Sequence, residues 1–315
     1  MSILVTGGAG FVGSNFVELL AEKVEDKIVC IDNFNDFYDS SIKRNNICHW
    51  NNDIISVVEG DFCDNAFVDE LFQLNSFTRI VHLGAYASVR RSVENPYMYQ
   101  KSNVDGTLNL LEASRKYGVK RFVFSSSSTV YGDAKTPFVE DNPLGTIESP
   151  YGVTKRAAEL FCLTYHKLHR VPVVCVRPFS IYGPRLRPDL AMSVFAKAIC
   201  EDEIINLYGN ASRDFTHVSD VCDGVFSALY EENIEGEIIN LGNGSAIEME
   251  RVIELLEECF DKKAIIKKRP AREEDATMTC ADLTKAERIL GYRPKILFED
   301  GICEYVKWFK QSSSS

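Results

Sequence analysis

The chain has 315 residues, enough for one large domain or two and for a core that needs no staples. Its 35 basic and 46 acidic side chains give a net charge of -11, which speaks against a surface that binds nucleic acid or an anionic membrane. Hydrophobic residues at 45% and charged residues at 26% exclude a disordered chain, and no apolar run nears the roughly 20 residues that cross a bilayer.

Met1 leads straight into Ile3, Leu4 and Val5 with no basic region or small-residue cleavage site, so no export leader and a cytoplasmic location are expected. The ten cysteines are scattered singly without a C-x-x-C pair. That predicts reduced, mostly buried thiols and no zinc site. The serines 312–315 read as a disordered tail.

Short β-branched runs at 3–6, 27–32, 55–61, 79–83, 121–125 and 171–176 predict strands, with helices over 11–23, 65–74, 97–116 and 151–170. Runs such as Val173 to Val176 are apolar on both faces, as in parallel strands covered on both sides. Alternation at this spacing predicts an α/β fold with an open, doubly wound parallel sheet of Rossmann type. After Arg177 the rhythm breaks at Pro178, Gly183, Pro184 and Pro188, and a run at 237–241 reads as a seventh strand rejoining the sheet. A smaller mixed α/β lobe is therefore expected from about residue 180, with a ligand cleft between the lobes.

Between the first strand and first helix lie Gly7, Gly8, Ala9, Gly10, Phe11, Val12 and Gly13. In that context Gly7 permits the tight turn, Gly10 admits a pyrophosphate to the helix N-terminus, and Gly13 lets helix and strand pack closely. Asp32 closes the second strand nineteen residues past Gly13. There a carboxylate accepts from an adenosine ribose and repels a 2′-phosphate, which favours NAD over NADP. Asp61 ends the third predicted strand, either reaching the adenine or capping the helix that follows.

A serine run, Ser125 to Ser128, ends the fifth strand, and Tyr151 and Lys155 lie four apart on one helical face. An ammonium beside a phenol, with a cationic nicotinamide near, is expected to lower the phenol pKa and make Tyr151 a general base. A serine hydroxyl then bonds the same substrate oxygen. His166 and His169 share a helix face without a third ligand and read as solvated surface. His82 reads as a packed core residue, and His217 as a cap or packing group; no metal is indicated.

These motifs, with 124–132, Ser149 to Gly152, Arg213 to Val218, Asn240 to Gly242, Ala281-Asp282 and Leu290 to Tyr292, resemble the extended short-chain dehydrogenase/reductases. Within them the chain is similar to NAD-dependent nucleotide-sugar 4-epimerases, over nearly its whole length. The resemblance implies catalysis by Ser127, Tyr151 and Lys155. Tyr151 takes the 4-hydroxyl proton, the 4-keto sugar turns over in the pocket, and reduction from the other face regenerates NAD. It implies NAD contacts at Gly7, Gly10, Phe11, Val12, Gly13, Asp32, Asn33, Asp61, Phe62, Leu83, Ala85, Tyr151, Lys155 and Phe179. Substrate contacts are implied at Arg90, Ser127, Ser128, Ser180, Arg187, Arg213 and Arg272. It further implies a homodimer paired through the helices over 97–116 and 151–170. An NAD-binding domain would hold residues 1–178 with about 214–242, and a sugar-nucleotide lobe 179–213 and 243–311.

Related 4,6-dehydratases carry Asp-Glu, and uronate decarboxylases Glu, just before the Val-Tyr-Gly that is here Val130 to Gly132. Ser128 and Thr129 stand there instead, neither an acid or base near neutral pH, so epimerisation is favoured. The segment Tyr182 to Ala191, with Asp32 to Asp36, Tyr38-Asp39 and Val89-Arg90, most resembles UDP-glucuronate 4-epimerases. Arg213 and Arg272 match arginines that clamp the diphosphate. Arg187 or Arg90 is the candidate ligand for a C5 carboxylate, since a 4-keto uronate loses CO2 unless that carboxylate is held in the ring plane. Departures are Arg91 for the usual tyrosine and Leu190 for methionine, and these arginines also read as plain surface charges. A neutral or N-acetylated UDP-hexose, or a non-catalytic NAD sensor, are the alternatives.

Overall fold

Ile3, Leu4 and Val5 point alternately to opposite faces of the first strand, yet all three are fully buried. Such a strand must be covered by helices on both sides. The computed structural model describes residues 2–50, 53–271 and 276–312. In chain order its first half holds β1 (Ser2–Thr6), α1 (Phe11–Lys23), β2 (Lys27–Asp32), α2 (Ser40–Ile47), β3 (Ile55–Glu59) and α3 (Asn65–Leu74). Then come β4 (Phe77–His82), α4 (Val89–Glu94), α5 (Pro96–Tyr99), a π-helical segment Gln100–Gly106, α6 (Thr107–Tyr117), β5 (Arg121–Ser125), α7 (Pro150–His169) and β6 (Val173–Pro178). The remainder comprises β7 (Ser180–Tyr182), α8 (Ala191–Cys200), β8 (Ile204–Tyr208), β9 (Ser212–His217), α9 (Val218–Tyr230) and β10 (Ile238–Leu241). It ends with β11 (Ala246–Glu248), α10 (Met249–Phe260), β12 (Ile265–Arg269), α11 (Thr284–Leu290) and α12 (Phe298–Ser312).

The 7-stranded sheet runs β10-β6-β5-β4-β1-β2-β3, and every pairing in it is parallel. Strand order reverses between β1 and β4, which opens a crevice at their carboxyl ends. One apolar layer joins Ile3 and Val5 to α1 and α9; the other joins Leu4 and Ile31 to α3, α6 and α7. Two small sheets, β11-β9-β7 and β12-β8, pack with α8, α10 and α12, and residues of α8 and β8 line the crevice.

Local chemistry fixes the helix starts. Ser149 accepts from the Gly152 N–H at 3.2 Å with Pro150 in the first turn of α7, and Asp64 caps α3 through the Ala66 N–H at 2.9 Å. Asp61 is therefore not the cap of that helix.

Four readings are corrected. The helix over 97–116 is interrupted by the widened π turn, which carries Asn103 inward. Two helices, α2 and α4, escaped the pattern; the buried face of α2 consists of Lys43 and Asn46, which leaves no apolar periodicity to read. Cys259 and Cys303, 44 residues apart, meet as a disulfide between α10 and α12 rather than remaining thiols. Helix α12 also runs through Ser312, into the expected tail.

Candidate active site

The crevice is a cleft of about 910 Å³. At one end lies the glycine turn. Gly7 has φ +66°, and a Cβ there would meet the Gly84 Cα at 2.8 Å; a Cβ on Gly13 would fall 2.0 Å from the Gly7 carbonyl oxygen. Only glycine lets α1 start this close to the turn. Its N-cap, Gly10, has no side chain to bond the first N–H groups, so the positive end of α1 faces the cleft. Asp32 follows on β2. Its Oδ1 accepts from the Phe34 N–H at 2.9 Å and from Lys43 Nζ at 3.3 Å. Lys43 also bonds Asn35 Oδ1 at 3.2 Å and lines the cleft. An anion-binding helix end, a carboxylate at the second strand and apolar walls from Phe62, Leu83 and Phe179 suit the pyrophosphate, ribose and rings of NAD.

At the centre stand Ser127, Tyr151 and Lys155. Ser127 Oγ accepts from Thr129 Oγ1 at 3.0 Å and the Thr129 N–H at 3.2 Å, which leaves its own hydrogen to donate. Lys155 Nζ donates to the Ser125 carbonyl at 2.7 Å and lies 5.0 Å from the Phe124 ring centre. Burial lowers the Lys155 pKa to about 7. Burial also raises the Tyr151 pKa, against the pull of the Ser127 hydroxyl and Arg187. The expected lysine-driven lowering is therefore not what the chain alone produces. Desolvation governs both groups, and the charge acting on the phenol comes from Arg187.

α7 is pinned behind this set. Arg177 on β6 meets Glu159 at 2.8 and 3.0 Å with both side chains buried. Asn103, from the π turn, bonds the backbone N–H and carbonyl of Tyr86 and reaches Thr154 Oγ1 at 3.1 Å, tying the 83–88 loop to α7. His82 is buried between Thr6 and Thr107, and burial with the Lys155 charge keeps it neutral.

The far end is built from loops. Arg187 grips Asp189 in a fork, Nε to Oδ1 at 3.0 Å and Nη2 to Oδ2 at 2.7 Å, and Nη2 also bonds the Ala87 carbonyl at 2.6 Å. Burial opposes its charge, but Asp189 outweighs that and holds the guanidinium above its ordinary pKa. Phe37 lies between Arg187, at 5.3 Å, and Arg91, at 4.5 Å, and Arg91 bonds the Phe37 carbonyl. Arg90 is exposed at the mouth; Arg213, on β9, bonds the Ser212 carbonyl at 3.0 Å and lines the cleft, as do residues of β8.

The cleft thus gathers Gly7, Gly10, Phe11, Val12, Gly13, Asp32, Asn33, Phe62, Leu83, Ala85, Ser127, Ser128, Tyr151, Lys155, Phe179, Ser180, Arg90, Arg187 and Arg213. Asp61 is not among the residues that line the cleft; its Oδ2 accepts from Asn33 at 3.2 Å and its Oδ1 from the Cys63 N–H at 2.8 Å. Arg272 lies outside the described residues. Sequence reasoning missed Lys43, Phe37, Asn103 and Asp189. Only Asp189 carried a signal, two residues from Arg187 in a proline-flanked turn.

The GDP-mannose 4,6 dehydratase family profile matches residues 4–305. The chain is 41% identical to an uncharacterized protein, MJ1055, of Methanocaldococcus jannaschii, over 99% of this chain and 97% of that protein. It is 37% identical to a UDP-glucuronate 4-epimerase of Thermodesulfobacterium geofontis, over 98% of this chain and 96% of the relative. The crystal structure of the UDP-glucuronic acid 4-epimerase from Bacillus cereus, in complex with UDP-glucuronic acid and NAD, superposes with a TM-score of 0.94 at 33% identity, covering 99% of this chain and all of that one. The chain therefore belongs to the extended short-chain dehydrogenase/reductases of the GDP-mannose 4,6 dehydratase family, among the NAD-dependent nucleotide-sugar epimerases.

Proposed function

We propose that the chain epimerises a UDP-sugar at C4, with UDP-glucuronate and UDP-galacturonate as the preferred pair. The observation that carries this reading is the presence of Arg187 in the same cleft as Ser127, Tyr151 and Lys155. It puts a buried guanidinium beside the groups that handle the sugar hydroxyl, where a C5 carboxylate would lie. NAD, held by the glycine turn, Asp32 and Asn33, would supply reversible two-electron oxidation at C4.

The protein's part is acid–base and positional. Tyr151 would act as the phenolate, favoured by the Lys155 ammonium, and take the 4-hydroxyl proton to become the phenol while Ser127 donates to the sugar O4. On return Tyr151 gives the proton back to O4. Between the two steps Arg187 keeps the carboxylate of the 4-keto uronate in the ring plane, so that CO2 is not lost. Arg213, with Arg272, serves the diphosphate, while Ser128, Ser180 and Arg90 frame the sugar. Neither Ser128 nor Thr129 can protonate or deprotonate a ring position, which leaves epimerisation rather than elimination.

Asp189 balances the charge of Arg187, which keeps a neutral UDP-hexose as a second reading. Arg187→Ala separates the two: turnover of UDP-glucuronate is expected to fall far more than that of UDP-glucose. Equal losses contradict the uronate reading.

In the same proposal, residues 1–178 with 214–242 hold the cofactor and 179–213 with 243–311 the sugar nucleotide. Two copies pair through the helices over 97–116 and 151–170, where Tyr97 is 85% and Leu168 65% exposed and Val153, Leu160 and Phe161 are also exposed. Sedimentation of the protein tests that pairing. A cytoplasmic location fits the eight free cysteines, of which Cys48 and Cys200 are exposed, with the Cys259–Cys303 pair as the exception; no helix of the described residues is long and apolar enough to cross a membrane.

A further inference from the structure

Arg187 has five N–H donors, and the protein already uses three. Nε and one Nη2 hydrogen go to Asp189, and the second Nη2 hydrogen goes to the Ala87 carbonyl. Nη1 has no acceptor among the described residues, so its two hydrogens form the edge offered to a ligand. The Arg187 and Asp189 side chains are 14% and 12% exposed, so the pair is largely withdrawn from solvent, and its opposite charges sum to zero. Asp189 itself lines the cleft.

We propose that Asp189 sets how strongly the cleft distinguishes a uronate from a neutral hexose, by supplying the counter-ion that a substrate carboxylate would otherwise provide. This rests on the substrate reading above. A buried guanidinium without a partner is costly, and the first anion to reach it would be held tightly. With Asp189 in place, an arriving carboxylate meets two directed N–H groups but little net charge. Recognition then depends on hydrogen-bond geometry, the sugar is free to leave, and a neutral hydroxymethyl group is not excluded. The guanidinium does not need Asp189 to stay in place, because the Ala87 carbonyl and the Phe37 ring also hold it. Asp189 is thus a specificity-determining residue that acts through Arg187.

The test uses the NAD-loaded protein in a Tyr151→Phe background, where ligands bind without turning over. Calorimetry gives the affinities of UDP-glucuronate, UDP-glucose and UDP with Asp189 or with Asp189→Asn, which keeps the shape and one acceptor. The expected result is UDP-glucuronate about tenfold tighter in the Asn variant, with UDP-glucose and UDP within about twofold. Unchanged or weaker UDP-glucuronate binding, or equal gains for all three ligands, overturns the proposal. If Asp189→Asn does not fold, the parent decides. A preference for UDP-glucuronate over UDP-glucose below about a hundredfold supports a neutralised arginine, and a larger one contradicts it. Failure of the substrate reading is seen separately, as wild-type protein that does not convert UDP-glucuronate at all.

Discussion

At the cofactor end of the cleft the determinants are backbone: three glycines, a helix terminus and a carboxylate at a strand end, all within 32 residues of the N-terminus. At the sugar end they are side chains drawn from distant segments, with Phe37 from one loop, Ala87 from another and Arg187 with Asp189 from a third. Backbone sites are rigid because a whole sheet fixes them, and they tolerate almost no added atoms. Side-chain sites are tuned by charge and packing, so single replacements shift preference without removing the site. Tyr151 stands where the two ends meet.

Replacing Tyr151 breaks both halves of the chemistry at once. Tyr151→Phe is expected to cut turnover by about a thousandfold while bound NAD, read by absorbance after denaturation, stays near wild-type level. Substantial activity in that variant would remove Tyr151 from its role. At the cofactor end, Gly13→Ala places a methyl against the Gly7 carbonyl. It is expected to cost about 1–3 kcal/mol in urea unfolding and to lower NAD content. A variant as stable and as NAD-loaded as the parent would mean that the turn is not the rigid element described.

At the sugar end, Phe37→Leu removes the ring between Arg91 and Arg187. NAD content should hold, while UDP-glucuronate affinity falls by less than about tenfold. Loss of NAD there would erase the contrast between the ends. The last prediction concerns pH. The Lys155 pKa is lowered to about 7 by burial, against 10.5 for a free lysine. Between these values the unfolded chain binds more protons than the folded one, so the contribution of this group to stability rises with pH and is flat below about 7. The slope is at most about 1.4 kcal/mol per pH unit. In NAD-free protein, Lys155→Met should remove that rise between pH 7 and 9.5, and identical slopes in both proteins would contradict the assignment.

The same contrast explains what could be read in advance. α1, β2, α3 and β5 follow periodicities that burial on both faces imposes, and the glycine turn is legible because one backbone geometry demands those residues. α2 was invisible because its inward residues are Lys43 and Asn46. The Asn103 clasp and the Cys259–Cys303 disulfide are tertiary pairings that no local spacing encodes, whereas the Arg187–Asp189 fork joins residues two apart whose pairing only the folded turn reveals. The direction of the Tyr151 shift was misjudged for a related reason. The lysine spacing is visible in sequence, whereas the desolvation that raises the phenol pKa, and the Ser127 and Arg187 groups that oppose it, exist only in the folded cleft.

The most direct measurement is proton NMR of the purified protein with UDP-glucuronate and no added cofactor. The account predicts that the C4 epimer, UDP-galacturonate, appears with the carboxylate retained and the conversion running in both directions. A decarboxylated pentose product, an accumulating 4-keto sugar, or an unchanged spectrum with every UDP-sugar offered would contradict it.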